Sequence, residues 1–234
     1  MTVLVRPFGG GDLSQLNFSD NFTRADKNTL GPNWLRSLFN NPGGAGNGAT
    51  GAAIISSNTA TMTTVSGVAP ANNYLPLWVP MPVYTGLYNL PGVFVQCTFQ
   101  SAAGAGSALV LRYNHDMNNG VTENEGSDVY QCLLPGAAAG RIDKIVGGGA
   151  PATIGAGATT LVAGDIIRME VLTGTGLLQL RVLVNGAILQ TITDATATRI
   201  LAGVPGFMFS SISATGQTLV LRAFSCGPIA ALSG

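Results

Sequence analysis

Apolar and polar residues alternate with a period of two along most of this chain, and the runs are short and separated by glycine, proline or asparagine. Such alternation predicts strands with one buried face. Strands are expected over 93–100, 109–113, 129–134, 141–146, 165–172, 177–184, 187–193, 207–213 and 219–226, with two more within 53–65, broken near Ser57-Asn58. The sharpest signal is the pair of runs meeting at Asn185-Gly186, because both residues tolerate the positive φ of a type I′ turn. A regular two-residue hairpin there sets Val184 opposite Ala187, Val182 opposite Leu189 and Leu180 opposite Thr191, on one nearly apolar face. Gln179, Arg181 and Gln190 fall on the other face with Leu183, Ile188 and Ile192. That second face is expected to be covered by long loops in a monomer, or by a neighbour in an assembly.

The breaks between runs are equally informative. Residues 23–34 hold Asp26, Asn28, Gly31 and Pro32 and read as turns, with Trp34 anchoring the loop by burying its ring. Residues 40–51 and 147–157 are glycine-rich and read as loops. The prolines of 70–91 predict an irregular or edge-like segment, since proline cannot donate to a ladder. Residues 1–17 open with Val3, Leu4 and Val5 and continue through a glycine hinge, which suggests an arm that frays or docks on another subunit. Residues 18–234 are expected to form one domain. No segment has a helical period longer than two turns, so the fold class is all-β, a two-sheet sandwich or barrel.

Three stretches, taken in order, resemble the concanavalin A-like lectin/glucanase family, particularly its laminin-G-like modules in phage and bacterial proteins. The first is 20–34, DNFTRADKNTLGPNW. The second is the strand LVLRY followed, after a swollen turn, by VYQCLL. The third is GDIIRMEV with LQLRVLVNG, followed by Asp194 and the run Gly203-Val204-Pro205-Gly206. The resemblance spans 18–227 and implies an antiparallel jelly-roll sandwich. It does not by itself supply a function, because this fold carries lectins, glycosidases and structural modules.

Composition narrows the field. Charged residues make up only 9%, and 11 basic residues balance 11 acidic ones. That gives no electrostatic footprint for nucleic acid or for an anionic membrane, and it suits a protein covered by partners. No run approaches a membrane span, and the N-terminus carries no secretory pattern, so synthesis in a reducing cytoplasm is expected. Cys97, Cys132 and Cys226 then read as buried thiols, with a disulfide framework or a metal site as the alternative.

The candidate chemistry lies in two places. Retaining glucanases of this fold carry paired carboxylates on one strand; here the nearest copy is Glu123-Asn124-Glu125, in a polar loop, and the single histidine, His115, has no partner motif. Asp116, Asn118, Glu123, Glu125 and Asp128 place hard oxygen ligands in that same loop, a weak calcium signature beside the plainer reading of a solvated insertion. Tyr74, Trp78, Tyr84 and Tyr88, near Asn72 and Asn73, lie in a stretch with no charge between Ala69 and Phe99. They read as a subunit interface, with a glycan platform as the alternative.

These signals together, with the phage-associated resemblance, predict a non-enzymatic virion structural protein of a tailed bacteriophage. The expected role is a capsid decoration (cement) or fibre subunit, homo-oligomeric with a trimer favoured, contacting major capsid or other virion proteins through Val3–Val5 and 70–91. A carbohydrate-binding, lectin-like receptor-recognition module is the alternative, and a glycoside hydrolase the third. No cofactor is expected beyond the weak calcium candidate.

Overall fold

The computed structural model describes residues 16–40, 50–65, 74–103, 107–114, 128–134, 139–147, 149–157, 159–174, 176–209 and 218–229. In chain order the strands are β1 (Phe18–Asp20), β2 (Trp34–Asn40), β3 (Thr50–Ser56), β4 (Thr59–Val65), β5 (Tyr74–Pro80), β6 (Gly92–Ala103), β7 (Ser107–Asn114) and β8 (Asp128–Leu133). They continue as β9 (Ile142–Ile145), β10 (Ala152–Gly155), β11 (Ile166–Thr173), β12 (Leu178–Val184), β13 (Ala187–Asp194), β14 (Val204–Phe209) and β15 (Thr218–Pro228). All pairings are antiparallel and form two sheets. One runs β13-β12-β11-β6-β15-β4-β3 with β1 added beside β15; the other runs β10-β9-β8-β7-β14-β5-β2. This is the two-sheet sandwich expected from the alternation, in the antiparallel jelly-roll form that the resemblance implies.

Period-two burial builds the space between the sheets. Val93, Val95, Cys97 and Phe99 of β6, Ile167, Met169 and Val171 of β11, and Leu178, Leu180 and Val182 of β12 are all buried on the first sheet. Trp34 carries the core at one end: its ring lies 5.3 Å from Phe18, 5.0 Å from Phe224 and 5.1 Å from Phe207, so β1, β15 and β14 meet around it. The three cysteines are free and buried on β6, β8 and β15. Burial raises all three thiol pKa values, that of Cys132 to about 12, which leaves inert side chains rather than nucleophiles.

The family-like motifs each perform structural work. Asn185 and Gly186 adopt φ of 51° and 81°, the type I′ turn their chemistry predicts. Ile166 N donates to Asn185 Oδ1 at 2.9 Å, and Asn185 Nδ2 donates to Asp165 Oδ1 at 2.8 Å, so the V-N-G turn is stapled to the G-D that opens β11. Arg112 sits at a bulge of β7 with φ of 57° and only 1% exposure. Its Nη2 donates to Leu90 O at 2.6 Å and to Thr173 Oγ1 at 3.2 Å, and burial lowers its pKa to about 10.

Four expectations need correction. The 70–91 segment is not an edge: β5 lies between β14 and β2. Pro76 and Pro80 are tolerated because pairing with β14 is confined to Phe207↔Trp78 and Met208↔Leu77. The stretch 147–157 is not all loop, since β10 pairs with β9. Residues 34–40, for which no strand was expected, form β2. The hairpin register holds only at its turn. A bulge between Val182 and Leu183 leaves Leu189 unpaired, so Val182 faces Gln190 and Leu180 faces Ile192. One extra residue reverses the facing of everything beyond it. Ile192 therefore packs on the core, whereas Leu189 is exposed.

Candidate functional site

A cleft of about 620 Å³ lies where β1 pairs with β15. Ser19 opposite Ser225 and Asp20 opposite Phe224 make its floor. The loop 21–33 makes its wall.

That wall is held by one carboxylate. Asp20 Oδ1 accepts from Phe22 N at 2.8 Å and from Arg24 Nη1 at 2.6 Å. Its Oδ2 accepts from Arg24 Nη2 and from Trp34 Nε1, both at 2.9 Å. Arg24 Nη2 also donates to Leu30 O at 2.6 Å, tying the far end of the loop to its start. Phe22, with φ of 57°, is fully buried, and Lys27 exchanges backbone hydrogen bonds with Ile55 of β3. Burial alone raises the Asp20 pKa. The hydrogen bonds from Arg24, Trp34 and Phe22 N outweigh it and hold the carboxyl below its ordinary value. This explains D-x-F-x-R and its tryptophan as a staple.

With the staple closed, the cleft displays Ser19, Asn21, Lys27 and Asn33 as exposed polar side chains and Ser225 half-buried. Asp20 is the one carboxylate among the described lining residues, and both its oxygens are taken. The lining therefore offers hydroxyl, amide and ammonium groups to a polar ligand, but not two carboxyls flanking a scissile bond.

A second buried polar group closes on itself. Tyr130 of β8 donates to Asp194 Oδ2 at 2.6 Å, Lys144 Nζ donates to the same oxygen at 2.8 Å, and Thr196 N donates to Oδ1 at 3.0 Å. Burial raises the Asp194 pKa, but Lys144, Thr196 and Tyr130 together bring it down to about 2. Tyr130 is pushed well above the ordinary phenol range by burial and by this carboxylate. The arrangement joins the two sheets and leaves no group open to a ligand.

Among the described residues singled out in the sequence, Trp78, Tyr88 and Asp128 are each engaged within the fold. Trp78 is a core residue, 4% exposed, stacked on Phe207 at 5.5 Å, so its ring is not available as a platform. Tyr74 lies on β5 and Tyr84 in the short helix Tyr84–Leu87. Tyr88 is half-buried, and its phenol donates to Asn114. Asp128 begins β8 and accepts from Gly147 N at 2.7 Å, fastening β8 to the turn after β9. Val3, Leu4, Val5, Asp116, Asn118, Glu123 and Glu125 lie outside the described residues. Among the described residues no His, Cys, Asp or Glu cluster could hold a metal ion, and no helix is long and apolar enough to cross a membrane. Sequence reasoning singled out none of Asn21, Lys27 and Asn33, of which the last two lie in the stretch 23–34 read as turns. The available signal was polar residues set between Phe22 and Trp34, two aromatics that anchor both ends of one loop.

No protein-family profile and no curated protein sequence matches the chain. Solved structures do. A native glycosidic hydrolase aligns over 94% of this chain and 100% of its own, with TM-score 0.53 and 12% identity. A Bacillus subtilis protein of unknown function with a galectin-like fold aligns over 83% and 89%, with TM-score 0.53 and 11% identity. An endo-1,3-β-glucanase from Streptomyces sioyaensis covers 91% and 96%, with TM-score 0.48 and 15% identity. The fold is thus one shared with that glycosidic hydrolase and with the galectin-like Bacillus subtilis protein.

Proposed function

We propose that this chain is a non-catalytic, lectin-like module that binds carbohydrate in the cleft between β1, β15 and the loop 21–33. The observation that carries the reading is the cleft itself: a rigidly stapled wall with Asn21, Lys27 and Asn33 exposed and the lone carboxylate consumed. Neutral amide and hydroxyl groups on a preorganised wall suit the hydroxyls of a sugar, whose binding depends on many modest hydrogen bonds. The shared fold with a glycosidic hydrolase and a galectin-like protein supports this reading over a shell-cement role. A receptor-binding appendage of a virion remains the setting that joins it to the phage-like sequence motifs.

The test is a glycan array probed with the full chain, followed by calorimetry on the best ligand. Asn33→Ala and Asn21→Ala are expected to weaken binding about tenfold each, equivalent to about 1.4 kcal/mol, without cleavage of the ligand on prolonged incubation. Absence of any bound glycan, or wild-type affinity in both variants, overturns the proposal; release of shorter sugars overturns its non-catalytic part.

A further inference from the structure

We propose that the cleft between β1, β15 and the loop 21–33 selects acidic saccharides, with Lys27 pairing a carboxylate or sulfate on the ligand. This selectivity rests on the cleft being the carbohydrate site. The charged residues that line it are Asp20, Arg24 and Lys27, two cations against one carboxylate. Arg24 meets Asp20 in a bidentate pair, Nη1 to Oδ1 at 2.6 Å and Nη2 to Oδ2 at 2.9 Å, so their charges cancel. What is left is the ammonium of Lys27.

Among the described residues nothing answers that charge. Lys27 enters no ion pair there. Asp26, the carboxylate next to it in sequence, accepts from Ser57 N at 2.9 Å and does not line the cleft. Asp20 already accepts from Phe22 N, from Arg24 twice and from Trp34 Nε1. Lys27 is nevertheless anchored: its N donates to Ile55 O at 3.0 Å and its O accepts from Ile55 N at 2.9 Å, so the side chain starts from a fixed point on the wall. An exposed cation held at a cleft without its counter-charge complements an anion brought by the ligand.

The cleft also has no aromatic platform on which a neutral sugar could stack. Its two rings, Phe18 and Phe224, are 8% and 1% exposed and pack on Trp34. Hydrogen bonds from Ser19, Asn21, Asn33 and Ser225 only replace bonds to water, so each adds little. A charge-assisted hydrogen bond is about twice as strong as a neutral one, and a carboxylate or sulfate on the sugar supplies it. Lysine suits both groups, because its ammonium is a compact point charge rather than a fork matched to one planar shape.

The experiment is a glycan array of matched pairs, uronates beside their carboxyl-reduced forms and sulfated glycans beside their desulfated forms. It is probed with the full chain and followed by calorimetry at low and at physiological salt. The acidic member of the best pair is expected to bind at least about tenfold tighter, with the preference shrinking as salt is raised. Lys27→Gln is expected to bring the two members within about twofold of each other. Lys27 is exposed, so this change leaves the fold intact, which unchanged thermal unfolding checks. Arg199→Gln, which removes a cation outside the cleft, is expected to keep the full preference. The pair that responds tells carboxylate from sulfate. Equal affinity for both members of every pair, or a preference that survives Lys27→Gln, overturns the acidic selectivity and leaves the cleft a site for neutral sugar. No bound glycan at all overturns the carbohydrate site and the selectivity with it.

Discussion

Tyr130 on one sheet donates its phenolic proton to Asp194 on the other at 2.6 Å, and Lys144 donates to the same carboxylate oxygen at 2.8 Å. Three polar groups thereby bridge the two sheets across a largely apolar core. Ile200 N also donates to the Tyr130 oxygen, at 3.0 Å, so the strand-to-loop passage after β13 hangs from the same phenol.

Removing one member of this pair should cost more than removing both. Lys144 is 7% exposed, and Asp194→Asn leaves its ammonium with no counter-charge; such uncompensated burial costs about 3–5 kcal/mol. Lys144→Met combined with Asp194→Asn removes the charge as well as its partner. Chemical denaturation should show the single variant strongly destabilised and the double variant recovering at least half of the loss. A double variant as unstable as Asp194→Asn alone would mean that the carboxylate acts by hydrogen bonding rather than by charge.

Acid should weaken the fold through the same group. The Asp194 pKa is held down at about 2 in the folded chain, whereas an unfolded aspartate titrates near 3.8. A depressed pKa contributes stability that is fully present above the unfolded value and is lost as pH falls through the folded one. Asp20 acts in the same direction through Arg24 and Trp34. Unfolding free energy measured from pH 5 to pH 2 should therefore fall, by up to about 2 kcal/mol from Asp194. The slope should flatten in the Lys144→Met, Asp194→Asn double variant.

What the sequence discloses follows from how local the physics is. The Asn185-Gly186 turn is legible because two adjacent residues decide its φ values. The register three residues further on is not, because the bulge that exposes Leu189 is decided by where Ile192 and Asp194 pack on the opposite sheet. β5 is hidden for a related reason: Pro76 and Pro80 signal a broken ladder, and only the placement of β14 shows that no ladder bond is required of them. Trp78 has an apolar-proline context that fits either a surface or a core. Its stacking on Phe207, far away in sequence, makes it core. The cleft is the least legible feature, since turn-forming residues are the same whether or not their side chains face a ligand.

Two glycines with similar sequence signals should respond differently to alanine. Gly186 has φ of 81° and open space where a Cβ would stand, with nothing within 4 Å, so Gly186→Ala carries conformational strain alone, about 1–2 kcal/mol. Gly203 has φ of 136°, and a Cβ there would collide with the Arg112 carbonyl carbon and lie 2.6 Å from Tyr113 O. Those atoms are backbone at the bulge of β7 and cannot rotate away. Gly203→Ala should therefore cost about 3–4 kcal/mol or prevent folding. Comparable melting temperatures for the two variants would contradict the close approach of this loop to β7.

Trp78 and Asn33 separate stability from binding. Trp78 stacks on Phe207 and is 4% exposed, so Trp78→Ala opens a large void and should lower stability by about 3–5 kcal/mol, as aromatic truncations in cores do. Any loss of glycan binding in that variant should then track unfolding and return at temperatures where the variant is folded. Asn33 is exposed at the mouth of the cleft, with its backbone carbonyl accepting from Met81 N at 3.0 Å and its side chain facing solvent. Asn33→Ala should leave the melting temperature within about 2 °C, since surface substitutions stay within about ±0.5 kcal/mol, while weakening binding. If Trp78→Ala instead removed binding with its stability intact, the aromatic segment would be the ligand platform and the cleft would not.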